Sequence, residues 1–344
     1  MIEGKTGGMK ALLIGAGGMG QGWARNIAES PEAVLHAWVD VRPGAAADAA
    51  GKLGLSVAHT DTDVERAIAE YKPDFVVDVT PPEVHHSVTL AALAAGLPVL
   101  GEKPMAVTME QAREMVAASE KAGKLYMVSQ SRRYNAQLQA YKQLIQDQVG
   151  TVGILNADFY IGAHFGGFRD EMDSPLILDM AIHTFDEARY LCDLDAVSVY
   201  AEEFNPAWSW YKGDSSATAI FEMENGARFT YRGSWCSDGC HTSWDADWRA
   251  VGPKGSAVWA DNMTPTAQSV IKSGGFFSEM ESIDAEVGTI DEGIKGSLSE
   301  FLSALKTGIT PNGECHDNIK SLAMVFAVVE SSKAGRRVKL SEII

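Results

Sequence analysis

The sequence predicts an α/β domain over residues 1–131, followed by an α+β domain with a large open, mostly antiparallel sheet over residues 132–344. Its length exceeds what one hydrophobic core ordinarily organises, which calls for two domains. In the first part, short apolar runs alternate with helix-patterned stretches, as parallel strands covered on both faces by helices require. After Gly150 strand-like runs dominate, with Asn225-Gly226 marking a hairpin turn.

The elements of the first part follow in order. The apolar run at residues 10–14 leads into Gly15-x-Gly17-x-x-Gly20 and a helix over 19–29. Gly15 permits the tight turn out of a strand, Gly17 lets backbone approach a pyrophosphate, and Gly20 allows close helix–strand packing. The helix N-terminus then receives the anion. A second strand, 34–39, ends at Asp40, where a dinucleotide fold places the carboxylate that accepts hydrogen bonds from the adenosine ribose. Its charge favours NAD over NADP. Arg42 keeps NADP open, since its guanidinium can cover the adenine or meet a 2′-phosphate. A helix (44–53), a short strand (56–58), a helix (61–71) and a strand (75–79) come next. Thr80-Pro81-Pro82 breaks the chain at the carboxyl end of that strand, where open α/β sheets bind ligands. A helix (83–95) and a strand (97–101) deliver Glu102-Lys103-Pro104 to the same edge, Lys103 pointing into the crevice and Pro104 fixing the local backbone. The first part is therefore a Rossmann dinucleotide-binding domain.

Composition sets the outer limits. With 46% hydrophobic and 22% charged residues the chain is globular, and it carries no long uncharged apolar run suited to a bilayer. Residues 1–9, Gly-rich and without an apolar core, read as a loose extension rather than a targeting segment, so cytoplasm is the expected location. A formal charge of −17 excludes a nucleic-acid partner. The four cysteines are scattered, as suits a reducing compartment. Cys236, Cys240 and His241 lack a second Cys or His pair at zinc spacing, so no metal is expected.

The glycine pattern, Asp40, Thr80-Pro81 with His85, the run from Ala91 to Gly96 and Glu102-Lys103-Pro104 together resemble the glucose–fructose oxidoreductase, inositol dehydrogenase and rhizopine-catabolism (Gfo/Idh/MocA) oxidoreductase family. The resemblance extends through a sixth strand at 126–130 and Arg132-Arg133-Tyr134-Asn135, the crossing into the second domain, with Ala136 where relatives often have proline. It implies cofactor contacts from Gly15, Gly17, Met19 and Gly20, from Asp40 and Arg42, and from Thr80, Pro81 and His85, with Glu102 and Lys103 near the nicotinamide.

In the second part a helix over 135–149 ends at Gly150. Strands are expected at 152–161, 197–204, 216–223, 227–235, 248–251 and 256–259, and two helices, at about 289–306 and 316–333, close the chain and pack on the first domain or on the sheet. A further helix over 178–191 sets Asp179 and His183 four apart on one face. Asp-x-x-x-His with Asp186 resembles the family's second-domain catalytic motif; Asp186 either orients the histidine or makes a polar contact in the helix layer. The lead-in from Asp173 to Ile177 departs from the family's Gly-rich approach, which reshapes the substrate entrance. Six of eight tryptophans lie in this half, and the segment from Trp235 to Trp248 is the first place to look for substrate contacts. Trp235, His241, Trp244 and Arg169 are the substrate candidates, with His164 secondary.

The resulting expectation is an NAD-dependent oxidoreductase acting on a secondary ring hydroxyl of a sugar, sugar derivative or inositol. His183 is the general base, Lys103 stabilises the alkoxide and Asp179 positions the substrate. The alternatives are a redox-neutral, NAD-dependent glycoside hydrolase or lyase working through a transient keto-sugar, and a non-catalytic cofactor sensor. The resemblance further implies a homodimer or homotetramer through the open sheet face, and no membrane partner is expected.

Overall fold

The computed structural model describes residues 7–344. The first eleven elements alternate: β1 (Met9–Ile14), α1 (Gly18–Glu29), β2 (Ala33–Val39), α2 (Ala45–Leu53), β3 (His59–Asp61), α3 (Val64–Tyr71), β4 (Phe75–Asp78), α4 (Pro82–Ala94), β5 (Val99–Glu102), α5 (Met109–Ala122) and β6 (Tyr126–Ser129). The strands form one parallel sheet in the order β3-β2-β1-β4-β5-β6. Strands β4, β5 and β6 are buried along their whole length, and Phe75-Val76-Val77 is accordingly a continuous apolar run rather than an alternating one. Helix ends carry local signals: Thr108 accepts the Gln111 N–H at the start of α5, and Gly123 turns left-handed (φ 59°) at its end. The strand order reverses at β1, which opens a crevice at the carboxyl ends of β1 and β4.

Two boundaries shift from expectation. Of the loose extension assigned to residues 1–9, residues 1–6 lie outside the described residues, and Met9 already opens β1 opposite Ala33. The third strand sits at His59–Asp61 instead of 56–58, and α3 starts only at Val64. Asp61 pairs with Val39, and the Asp63 carboxylate caps the helix by accepting from Arg66 N at 2.9 Å, so the chain stays extended through Asp61.

The rest of the chain runs α6 (Ala136–Leu144), β7 (Ile154–Tyr160), α7 (Ile182–Cys192), β8 (Ala196–Phe204), β9 (Ser216–Met223), β10 (Arg228–Ser234), β11 (Asp247–Gly252), β12 (Gly255–Trp259), β13 (Thr266–Lys272), β14 (Glu279–Asp284), α8 (Gly293–Thr307), α9 (Cys315–Ala334) and β15 (Val338–Lys339). Nine strands form a second sheet, β14-β13-β12-β11-β7-β10-β9-β8-β15, antiparallel except for the β7–β10 pair. On β9 the residues Ala217, Ala219, Phe221 and Met223 are buried while Thr218 and Ile220 face out. The inward face packs on α7, where Phe185 meets Phe221 at 5.0 Å and Tyr231 at 5.2 Å between ring centres. Helix α6, capped by Asn135, widens into a π-type turn over Ile145–Val149 before Gly150. Strands β13, β14 and β15 add to the strands expected from the sequence.

The chain divides into two compact units, one running to Ser131 and taking in Asp291–Ile319, the other comprising Arg132–Ile290 and Lys320–Ile344. In the first unit α8 covers core that the six-stranded sheet leaves open: Leu298, Phe301 and Leu302 are buried, and Phe301 lies 5.5 Å from Phe75. Among the described residues no helix is long and apolar enough to cross a membrane.

Candidate active site

In the first unit the candidate site gathers along the carboxyl edge of the parallel sheet. Gly15 leaves β1 at φ +104°, and a Cβ there would stand 2.6 Å from the Val79 carbonyl oxygen. A Cβ on Gly20 would stand 2.1 Å from the Gly15 carbonyl oxygen, so both positions demand glycine. Gly17, the N-cap of α1, has nothing among the described residues within 4 Å of its Cβ position and makes no side-chain cap, and the first turn holds no acidic residue. Free space over an unblocked helix N-terminus is what a pyrophosphate needs, and the residues present fit that group. Met19 is exposed beside this opening.

Asp40 at the end of β2 accepts the Ala16 amide at 2.8 Å and thereby ties β2 to the glycine loop. Arg42 folds back onto it, Nε and Nη2 each donating at 2.9 Å and the backbone amide at 3.0 Å. The guanidinium holds the Asp40 carboxyl down at about 2. Neither the Ala16 link nor the Arg42 pairing was legible in the sequence, which suggested an Arg42 directed at adenine or a 2′-phosphate.

At the end of β4, Asp78 Oδ1 accepts the Thr80 hydroxyl at 2.6 Å and amide at 3.1 Å, and Pro81 caps α4. At the end of β5, Glu102 is buried; it accepts Trp23 Nε1 at 2.7 Å and the Lys103 amide at 3.1 Å, while burial pushes its carboxyl up. The Lys103–Pro104 peptide is cis. His85, also buried, has Nδ1 2.8 Å from the Pro104 carbonyl oxygen and Nε2 2.8 Å from that of Thr80. Glu102 and His85 thus direct their polar atoms inward, anchoring the strand ends that carry Thr80 and Lys103.

In the second unit Asp179 and His183 flank a change of winding. Leu176–Ala181 forms a π-type turn and α7 proper begins at Ile182, where the sequence suggested one continuous α-helix from Leu178. Such turns show no periodicity of their own, which is why the pattern does not reveal them. Arg169 Nε donates to Asp179 Oδ2 at 2.5 Å, joining two residues picked separately from the sequence. The Arg169 guanidinium also lies over the rings of Phe165 (5.0 Å) and Phe168 (4.7 Å). Phe165 neighbours Trp244 at 6.3 Å, and Trp244 and Phe168 are 47% and 66% exposed, leaving an aromatic rim around the Arg169–Asp179 pair. Sequence reasoning missed the two phenylalanines, whose signal was the spacing Phe165-Gly166-Gly167-Phe168.

The other candidates lie differently. Trp235 is 2% exposed and stacks on Tyr211, a packing position. His241 is exposed and accepts the Gly162 amide at 3.2 Å. His164 stacks on Trp210 at 3.6 Å. Asp186 makes the helix-layer contact: Arg133 Nε and Nη2 each donate to it at 2.7 Å, and Ser321 Oγ donates at 2.6 Å. Next to it Glu187 is buried with no hydrogen-bond partner among the described residues on either carboxyl oxygen; desolvation drives its carboxyl well above the usual range, against the pull of Arg132. Cys236 is buried, accepting from Ser215 Oγ at 3.2 Å. In the first unit Glu314, Cys315 and His316 bring ligating atoms within 4.8 Å of one another, and His316 is held between Glu314 (2.8 Å) and Glu120 (2.9 Å).

Comparison with known proteins agrees with this architecture. A family model for the oxidoreductase family with an NAD-binding Rossmann fold matches residues 9–130, and one for the GFO/IDH/MocA C-terminal domain matches residues 109–258. Inositol 2-dehydrogenase of Rhizobium meliloti is 27% identical, with 96% of this chain and 98% of that protein covered. The 1,5-anhydro-D-fructose reductase of Ensifer adhaerens is 26% identical, covering 95% and 97%. An Agrobacterium radiobacter oxidoreductase, solved with NAD+, L-tartaric acid and magnesium, superposes with a TM-score of 0.87 at 22% identity, covering 98% of this chain and 99% of that one. With its NAD-binding Rossmann unit and its matching C-terminal domain, the chain belongs to the Gfo/Idh/MocA family of oxidoreductases.

Proposed function

We propose that the chain is an NAD-preferring dehydrogenase that oxidises a secondary ring hydroxyl of a sugar, sugar derivative or inositol. The observation that carries the redox reading is the β3-β2-β1-β4-β5-β6 order with the glycine loop, Thr80 and Lys103 all at the carboxyl edge of one sheet. Gly15, Gly17, Met19 and Gly20 hold the pyrophosphate side, Asp40 the adenosine ribose, and Thr80 and Pro81 the nicotinamide half. NAD, when bound, supplies the hydride acceptor.

The chain's own groups handle the proton and the developing charge. His183 takes the hydroxyl proton, a task suited to an imidazole near neutral pH. Lys103 hydrogen-bonds the same oxygen and stabilises the alkoxide. Asp179, oriented by Arg169, receives a neighbouring hydroxyl, and Trp244 with the Phe165 and Phe168 rings offers faces for the C–H side of a ring. The exposed face of the nine-stranded sheet, with Val197, Tyr200, Phe204 and Ile220, is the proposed surface for a homodimer or homotetramer, which light scattering tests.

A screen of NAD reduction across aldoses, inositols, sugar acids and glycosides tests the activity. Stoichiometric NADH with one of them is expected; product without net NADH identifies redox-neutral chemistry instead. With the substrate in hand, Lys103→Ala should suppress turnover far more than NAD binding, and normal turnover by that variant refutes the assignment.

A further inference from the structure

We propose that His85 is a positioning residue acting as a doubly protonated imidazolium, clamping the Thr80 carbonyl to the Pro104 carbonyl and so fixing the segment that presents Lys103. Both ring nitrogens lie 2.8 Å from carbonyl oxygens, one on the segment after β4 and one on the segment after β5. A carbonyl oxygen accepts and cannot donate, so each nitrogen must carry the proton of its own bond. In a neutral tautomer one ring lone pair would face a carbonyl lone pair at hydrogen-bond distance. At 2% exposure the ring is closed off from bulk solvent, which would otherwise screen that repulsion.

Two carboxyl groups flank the ring, Asp78 from β4, fully buried, and Glu102 from β5, 9% exposed; burial pushes both up, and the neighbouring His85 opposes that push, with Lys103 beside them. Thr80 is gripped from both sides, since its amide and hydroxyl go to Asp78 and its carbonyl to His85. The next residue on α4, His86, turns away to Glu114 of α5 at 2.6 Å, and no such clamp forms there. On this reading His85 acts one step behind Lys103, through the backbone that carries it.

The consequence for catalysis rests on the reading of Lys103 above, whereas the protonation state does not, and the experiment separates the two. In the full-length protein labelled with ¹⁵N-histidine, His85 is assigned by the signals lost in His85→Asn. At neutral pH both of its ring nitrogens should carry slowly exchanging protons. One protonated and one bare nitrogen overturns the imidazolium, whatever the enzyme turns out to oxidise. For positioning, His85→Ala should lower kcat about tenfold or more with KM for NAD little changed. His85→Asn keeps a donor near the Nδ1 position and should recover much of the loss, because the Pro104 side carries Lys103. A folded His85→Ala with normal kcat, or His85→Asn no better than His85→Ala, overturns the positioning role.

Discussion

Asp186→Asn tests the buried ionic lock beneath α7. Arg133 and Asp186 are 6% and 2% exposed at their side chains, and two parallel 2.7 Å bonds join the guanidinium fork to both carboxylate oxygens. A third bond comes from Ser321 at 2.6 Å. Asparagine has the same shape but removes the charge and puts an NH2 where one of these donors points. Leaving one partner of a buried pair uncompensated costs about 3–5 kcal/mol. One retained acceptor returns about 1 kcal/mol, so a net loss of about 3 kcal/mol is expected, a folded-to-unfolded ratio lowered by about 150-fold. Urea denaturation followed by tryptophan fluorescence should show a lower midpoint at unchanged m-value in the transition of the unit carrying α7. A loss under about 1 kcal/mol refutes the lock. Arg133→Met combined with Asp186→Leu should recover most of the stability, since an apolar pair has no stranded charge.

Three further outcomes follow from the first and second units. Gly20→Ala forces a Cβ against backbone 2.1 Å away and should cost about 1–3 kcal/mol, whereas Gly17→Ala, with nothing within 4 Å, should stay within about 0.5 kcal/mol in thermal melts; both should weaken NAD in a fluorescence titration. Asp40→Ala should weaken NAD by about tenfold relative to NADP, and Arg42→Ala, which uncovers the Asp40 charge, should move discrimination the other way; unchanged ratios in both remove the pair from cofactor choice. Glu187 has a raised folded-state pKa, so the native protein holds that proton more tightly than the unfolded chain. Its stabilising effect is complete below the ordinary value of 4.5 and is lost as pH rises toward the folded value. Wild type should therefore lose stability relative to Glu187→Gln by up to about 1.4 kcal/mol per pH unit in that window, and parallel pH–stability curves for the two proteins refute this.

The parts of the fold legible in the sequence were those whose burial leaves a pattern. Phe75-Val76-Val77 and the alternation along β9 report one or two buried faces directly, and the Gly15–Gly20 spacing reports a turn that only glycine can make. Strand β3 is His59-Thr60-Asp61, without an apolar side chain, and β14 is exposed or half-buried throughout, so neither gives a periodic signal. β15 is two residues long and pairs with the end of β8. For the site, residue types at expected offsets were readable. Which side chains meet was not: Arg169 finding Asp179, Arg133 finding Asp186 and Arg42 folding onto Asp40 depend on the loops and π-type turn that bring them together.

The return of residues 291–319 to the first unit has a consequence for biosynthesis. The six strands of the parallel sheet leave the ribosome well before α8, whose Leu298, Phe301 and Leu302 complete their core. Between them lies Arg132–Ile290, which takes on the order of ten seconds to synthesise at about 5–20 residues per second. For that interval Phe75 lacks the ring that will cover it, and the nascent sheet presents an apolar surface to the cytosol of whatever cell makes it. The dinucleotide-binding unit comes first in the sequence and is finished late in translation, after the whole of the segment inserted within it has been made.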